Sequence, residues 1–393
     1  MRHRARASLA SRDPQSAIDW LDFGWRFQAP GAEEEFLRAR AYRKQGRWDL
    51  VHRHLELALR QGIDRSRIER EQWLASAQSG DLRDSLSHLP LLLERPEGDG
   101  PEICEAYVNG FFLNNRLDEA LQLIAAWLAD YPADPLPYRI RGKIRVNSGE
   151  LKQAAEDFRQ VLKLLPRDSS VALELGQCLA SQRDYEGAVG PLEQAARDPK
   201  TATAAKIELA RCFRLQGKLD EARAHLAPLL EKSPDDPEIL AESGQIELQA
   251  GQFSQAIPDL ERSLRAYPRS VALHQALGRA LLGAGRDAES REHFVYVERV
   301  QLQLARVDKL IDYAGKHPRD AQCRYEIGKI YLDDGVPERG VKWLQSALNC
   351  DPEHRASHAA LAEYYGERKG VNPAFAAAAE RHRAAAARFG ASP

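Results

Sequence analysis

Between Tyr138 and Gly285 the apolar positions recur at helical spacing, in runs such as Leu175 to Leu179 and Tyr185 to Leu192. Spacing of that kind lays one apolar stripe along a helix. The runs themselves repeat. Gly142, Gly176, Ala210, Gly244 and Gly278 stand 34 residues apart, Ala154, Ala188, Ala222 and Ala256 follow twelve residues behind the first four, and Pro166, Pro199, Pro234 and Pro268 fall near the unit ends. Three series locked to one period denote an array of one supersecondary unit. Gly149, Gly217, Gly251 and Gly285 end the first run of their units, where a helix C-terminus accepts the left-handed conformation. Each unit therefore reads as helix, tight turn, helix, turn. Gly176 and Ala188 are placed where the two helices cross, because only small side chains allow close approach. The proline stops the second helix, since it lacks an N–H and restricts the residue before it.

Outside that stretch the pattern loosens. Pro14 to Phe27 reads as a second-type helix, the back half of an incomplete first unit. A divergent unit follows with Ala39, Tyr42, Gly46, Val51, Leu55 and Ala58, and then the poorest unit, with Trp73 and Ser85 at its two small-residue positions. Glu94 to Pro101 is a loop of turn residues and acids, and regularity returns with Val108, Phe111, Ala120 and Pro132. Gly278 to Gly328 is 50 residues, one period plus 16, and Arg291 to Ile311 contains neither Gly nor Pro. Phe294, Val297, Val300, Leu304, Val307 and Ile311 stand three or four apart, which predicts one long amphipathic helix from about Asp287 to about Gly315, roughly 40 Å long. Gly328, Tyr331, Gly335, Leu344, Ala347 and Pro352 resume the array. A last unit lies around Ala362 and Tyr365, and its alanine-rich second helix, Ala374 to Phe389, reads as a solvent-facing cap.

Composition narrows the function classes. A 393-residue chain with 43% hydrophobic content and a formal charge of −2 gives no bulk electrostatic argument for nucleic acid or an anionic membrane. Helix formers dominate and the fold class is all-α. The five cysteines, Cys104, Cys178, Cys212, Cys323 and Cys350, are odd in number, far apart and free of any CxxC, which favours reduced thiols and the cytoplasm. The basic N-terminus is followed by no apolar run of signal-peptide length, so export is expected only if a leader has been trimmed. No GxSxG elbow, Walker loop, Rossmann fingerprint or HExxH occurs, and no catalytic residue, cofactor or metal is expected. Cys350, His354 and His358 have the nearest metal-like spacing, but Pro352 interrupts the helix and no third ligand is fixed beside the two histidines. His52 and His54 point to different helix faces, and Asp235 with Asp236 sits at a turn, where helix capping explains the pair.

The unit resembles the tetratricopeptide repeat. Tyr138, Gly142, Gly149, Ala154, Phe158 and Pro166 fill one such unit, Gly176, Leu179, Ala188, Leu192 and Ala195 the next, and Ala210, Phe213, Gly217, Ala222, Leu226 and Pro234 a third. Arg145 and Glu247 depart from it, standing where the family has an apolar residue. The resemblance implies a right-handed superhelical solenoid of about ten units. Its expected divisions are a partial unit at 14–30, two divergent units at 32–100, a regular array at 101–297, an extended helix at 298–317, a unit at 318–352 and a C-terminal unit with its cap at 353–389. It further implies that first helices line an inner groove, with unit positions 2, 5, 9, 12 and 13 pointing into it. With Gly142 as position 8, position 5 supplies Arg139, Leu173, Ile207, Gln275 and Tyr325, and position 9 supplies Lys143, Gln177, Arg211, Gln245, Arg279 and Lys329. That is an apolar floor with cationic or amide walls, suited to an extended peptide or helix of another protein bearing acidic and apolar side chains. Neither nucleic acid nor membrane insertion is expected. The family's set that clamps a C-terminal carboxylate is not reproduced: Asn109 matches, but Glu105 and Ile140 replace a cation and an amide. The expected function is a non-catalytic scaffold, with a structural accessory subunit of an enzyme or envelope-assembly complex, docked through its convex face or long helix, as the alternative, and the long helix as a possible homodimer surface.

Overall fold

Most first helices begin where a side chain caps them, and in the regular part of the chain these caps keep the period of the repeat. Asp134, Asp168, Asp236, Ser270 and Asp320 each accept a hydrogen bond from a backbone N–H two or three residues on, and His354 does the same through its ring. Each relieves one of the orphan donors of a helix N-terminus. The computed structural model describes residues 1–26, 29–114, 116–334, 336–368 and 373–388; Phe27, Gly335 and Phe389, which enter the expected pattern, lie outside them. No strand occurs among the described residues.

The chain divides into two compact units, Met1–Thr201 and Ala202–Pro393. The first holds α1 (Arg2–Ala10), α2 (Pro14–Trp25), α3 (Ala32–Lys44), α4 (Trp48–Arg60), α5 (Arg65–Ser79), a 3-10 turn (Ser85–His88), α6 (Leu89–Glu94), α7 (Gly100–Leu113), α8 (Leu117–Asp130), α9 (Pro135–Asn147), α10 (Leu151–Leu164), α11 (Ser169–Ser181) and α12 (Tyr185–Ala195). The second holds α13 (Ala202–Leu215), α14 (Leu219–Lys232), α15 (Pro237–Gln249), α16 (Phe253–Ala266), α17 (Val271–Gly283), α18 (Asp287–Lys316), α19 (Ala321–Asp333), α20 (Pro337–Cys350), α21 (Arg355–Glu367) and α22 (Pro373–Arg388). Both are all-α solenoids of stacked helix hairpins.

The crossing point differs by one helical turn from the expected one. A Cβ on Gly142, Gly176, Gly244 or Gly328 would stand 2.5–2.8 Å from Phe158, Leu192, Leu260 or Leu344 respectively. The small residue thus receives the large side chain four residues beyond Ala154, Ala188 or Ala256, which are themselves buried. In the turns that follow, Gly149, Gly217, Gly251 and Gly285 take positive φ as expected, and Arg183 takes the same conformation in the unit that has no glycine there.

Ala17 has a partner. Ala5 lies twelve residues before it, both are fully buried, and α1 pairs with α2 as a hairpin whose core includes Leu9, Ile18, Leu21, Leu37 and Ala41. The degenerate unit owes its shape to its second half: Pro90 and Pro96 leave room only for the 3-10 turn and the six-residue α6, and Tyr107 fills the space, its buried hydroxyl donating to the Ser85 carbonyl at 2.6 Å.

The long helix spans 30 residues, one residue longer at its end than expected. Its first half packs on α17, with Ser290 donating to the Gly278 carbonyl at 2.7 Å. Its second half packs on α19, Val307 and Ala314 meeting Cys323, Ile327 and Tyr331. The apolar stripe is thus used within its own compact unit, and Val295, Leu302 and Tyr313 are the large apolar side chains left exposed on this helix.

Candidate interaction face

The face of each first helix carries repeat positions 5, 6, 9 and 12, and the next repeat decides what those side chains do. In the first compact unit Arg43 Nε lies 2.5 Å and Arg40 Nε 3.9 Å from the Glu71 carboxylate. Further along, Arg139 and Lys143 converge on Glu174 at 2.8 and 3.0 Å. In the second, Arg211 and Arg214 converge on Glu242 at 3.4 and 2.5 Å. In each case cations at positions 5, 9 or 12 meet an acid at position 6 of the following repeat. Lys329 pairs within its own helix, with Asp333 at 2.9 Å.

The expected cationic walls are therefore largely neutralised. Lys143 remains 55% exposed and Arg211 44% exposed, each with its charge matched. Arg279 is exposed and forms no ion pair among the described residues. Gln177 is exposed, Leu173, Gln245, Gln275 and Tyr325 are half-buried, and Ile207 is no part of the surface: it is buried with Ala210, Ala222, Leu226 and Leu229. Tyr325 and Lys329 line a cleft of about 400 Å³ between α18 and α19. The acids at position 6, Glu71, Glu174, Glu208 and Glu242, keep the 34-residue period or a multiple of it close by, and reading only positions 5 and 9 passes over them. Positions 12 and 13 carry a second overlooked row. Phe112, Leu113 and Val146 in the first unit, and Leu215 and Leu282 in the second, are exposed, Leu113 by 63%.

At the start of the first unit the pairs thicken into a cluster. Arg43, 1% exposed, also donates to Gln78 at 2.7 Å and to Glu102 at 2.8 Å. Arg40 reaches Asp99 and Glu102, and Lys44 lies 3.6 and 3.7 Å from Glu102 and Glu105. Burial alone would raise the Glu102 pKa, but Arg40, Arg43 and Lys44 overcome it and hold the carboxyl at about 2. Arg12, in the turn after α1, makes a two-pronged contact with Asp134 at 2.9 and 2.8 Å, and Asp134 also accepts from Trp127 Nε1 at 3.1 Å. Glu105, where the family's carboxylate-binding set has a cation, is thus engaged by Lys44 and Arg12.

No thiol or metal chemistry assembles from the described residues. All five cysteines are free; burial pushes Cys104 up to about 12 and Cys212 up to about 11, far from thiolate formation. Cys350, His354 and His358 do not converge: the thiol faces the Pro318 carbonyl, His354 caps α21, and His358 Nδ1 faces His382 Nδ1 at 2.9 Å. Among the described residues no group of three or more His, Cys, Asp or Glu could hold a metal ion. Asp236 caps α15, in line with its place at a turn.

His358 has a counterpart at the same repeat position. His274 Nε2 donates to the Pro268 carbonyl at 3.1 Å, which leaves Nδ1 to accept from His293 Nδ1–H at 2.8 Å; His358 repeats the arrangement with Pro352 and His382. Burial, then the facing imidazole, lowers the pKa of His293 and of His382. A base whose folded pKa is depressed stabilises the fold fully above its unfolded value and loses that contribution as pH falls through about 6.5. The melting temperature of the hairpins α17–α18 and α21–α22 is thus expected to fall between about pH 7 and 5, and a variant with His274→Gln and His358→Gln is expected to show a shallower fall by calorimetry.

Models of the tetratricopeptide repeat match residues 141–202, 179–241 and 242–299, which covers the stretch where the periodic glycines and alanines stand. The chain belongs to the tetratricopeptide-repeat superfamily. Among its relatives are BBSome complex member BBS4 of Bos taurus, 27% identical over 49% of this chain and 36% of that one, and the tetratricopeptide repeat and J domain-containing co-chaperone DNJ1 of Fusarium oxysporum, 25% identical over 44% and 34%. The chain spans about a third of the length of these curated relatives. Among solved structures, a tetratricopeptide repeat protein from Parabacteroides merdae is 15% identical, with 65% of this chain and 94% of that one covered and a TM-score of 0.45. Tetratricopeptide repeats in general serve as scaffolds for protein–protein interaction, and this chain carries such repeats. No described helix is long and apolar enough to cross a membrane.

Proposed function

We propose that the chain is a non-catalytic scaffold that holds an extended peptide or helix of another protein against the first helices of its repeats. The observation that supports this reading is the row of large apolar side chains left exposed at repeat positions 12 and 13, Phe112, Leu113 and Val146 in one compact unit and Leu215 and Leu282 in the other. Exposed apolar groups kept at two adjacent positions of a periodic structure fit a docking surface better than scattered surface residues do. Beside them stand the amides Gln177, Gln245 and Gln275, while Arg139, Lys143 and Arg211 are already matched by acids of the next repeat. The bound segment is therefore held mainly by apolar contact and amide hydrogen bonds, with Arg279 as an added anchor for an acidic side chain.

The test is capture of partners from the native cell by the tagged chain, quantified by mass spectrometry. A variant carrying Leu215→Asp, Leu282→Asp and Arg279→Glu is expected to lose at least about 90% of the specifically captured protein, and its unfolding free energy is expected to stay within about 0.5 kcal/mol because the altered residues are exposed. Undiminished capture would contradict the reading.

A further inference from the structure

The tight turn of the repeat is built for glycine. Gly46, Gly80, Gly149, Gly217, Gly251 and Gly285, at repeat position 15, all take positive φ. With Ala5 at position 8, Arg12 holds that place after α1, at a φ of 58°. A side chain there strains the backbone. This one reaches Asp134, 122 residues further on, where Nη1 and Nη2 donate to the two carboxylate oxygens at 2.9 and 2.8 Å, and its Nε lies 3.8 Å from Glu105 of α7. Arg183 has the same backbone conformation and reaches no acid among the described residues, so the turn alone does not place the contact. Each Asp134 oxygen also keeps a second donor, the Leu136 N–H at 3.0 Å on one and Trp127 Nε1 at 3.1 Å on the other. Asp134 therefore stays satisfied when Arg12 leaves, and Arg12, 32% exposed, has water as its alternative. Unlike Arg43 with Glu71, this pair can part without orphaning a buried charge.

Arg12 and Asp134 also line one cleft of about 510 Å³, together with Leu9 of α1, Arg40 and Lys44 of α3 and Glu102 of α7. Arg40 and Lys44 stand at positions 9 and 13 of their repeat, on the first-helix face. Both keep donors without an acceptor: Arg40 Nε is buried and makes no hydrogen bond, and Lys44 Nζ, on a side chain 6% exposed, comes no closer than 3.6 Å to a carboxylate oxygen. The helix beside them is lightly held, since α1 buries only Ala5 and Leu9. Little apolar packing opposes its movement. We propose that Arg12 and Asp134 form a clasp that closes this stretch of the first-helix face, and that its release uncovers Arg40 and Lys44 for the acceptors of a partner segment without unfolding the unit. The partner's part in this rests on the reading of the first-helix face as a docking surface, while the clasp rests on the contact and the cleft alone.

The experiment follows acetylation of Lys44 by an amine-reactive ester in the full chain by mass spectrometry, with the exposed Lys152 as reference and maleimide labelling of the buried Cys104 of α7 as the measure of unfolding. Arg12→Gln is expected to speed Lys44 acetylation about fivefold. Arg12→Lys keeps the charge but loses the two-pronged geometry, and is expected to speed it about twofold. Raising NaCl from about 0.05 to about 0.5 M is expected to speed it in the unaltered chain and not in Arg12→Gln, because the salt acts on the clasp. Unchanged labelling in Arg12→Gln would overturn the proposal. So would a salt effect that persists there, which would assign the protection to the ion pairs of Lys44 with Glu102 and Glu105. Cys104 is expected to stay protected throughout; its labelling in step with Lys44 would show that the unit unfolds, and would equally overturn the clasp. No partner takes part, so failure here leaves the docking face standing, and failure of partner capture leaves the clasp.

Discussion

Glu71→Ala is expected to destabilise the first compact unit by about 3–5 kcal/mol. Arg43 is 1% exposed, and Glu71 is the partner of its Nε at 2.5 Å. Gln78 and Glu102 hold the other two nitrogens and cannot take over the third, since their own geometry is fixed by those contacts. Removing the acid leaves a buried guanidinium under-compensated, with Arg40 nearby and Glu102 the one remaining carboxylate that the two arginines share. Replacing both members, Arg43→Met with Glu71→Leu, is expected to restore most of the loss, because two apolar side chains need no counter-charge. Urea unfolding followed by tryptophan fluorescence measures this, since Trp20, Trp25, Trp48, Trp73 and Trp127 of the six tryptophans lie in this unit. A loss under about 1 kcal/mol for Glu71→Ala would show that solvent screens the cluster.

The second large effect concerns one chemical change made at two places in one hairpin. Gly176→Ala puts a methyl 2.5 Å from Leu192 Cγ and Cδ2, inside any real contact distance, so the hairpin must open or Leu192 must leave its rotamer. The expected cost is about 1–3 kcal/mol, even though alanine is the better helix former. Gly190→Ala is the same change on the exposed face of α12, where an added Cβ meets nothing within 4 Å. It is expected to stabilise by about 0.5–1 kcal/mol through helix propensity alone. Opposite signs in thermal unfolding support the close-approach account of the glycine series; equal signs would contradict it.

The repeat was legible because its small residues do one job at one position. Gly142, Gly176, Gly244 and Gly328 each receive a large side chain from the second helix, and the same position in the unit between holds the equally small Ala210, so the period survives divergence elsewhere. The long helix was legible for the opposite reason: nothing between Arg291 and Ile311 could stop it. The α1–α2 hairpin was half legible, since Ala17 stands in the pattern while Ala5 sits in a basic, polar-looking run whose only other buried residue is Leu9. The face of the first helices was the least legible part. Its charge balance depends on which acid of the next repeat meets which cation, as Glu174 meets Arg139 and Lys143, and such pairing is a property of the stacked repeats rather than of one helix. Ile207 shows the same limit, because its position number places it on the floor of a groove while local packing buries it beneath.

The claim on which the functional account rests is that partners dock on first helices. Photo-crosslinking amino acids placed at Leu113 and Leu215, on first helices, and at Lys152 and Ala224, exposed on second helices, test it most directly. The account predicts that the same partner proteins are crosslinked from Leu113 and Leu215 and not from Lys152 or Ala224. Crosslinks confined to Lys152 and Ala224 would contradict it.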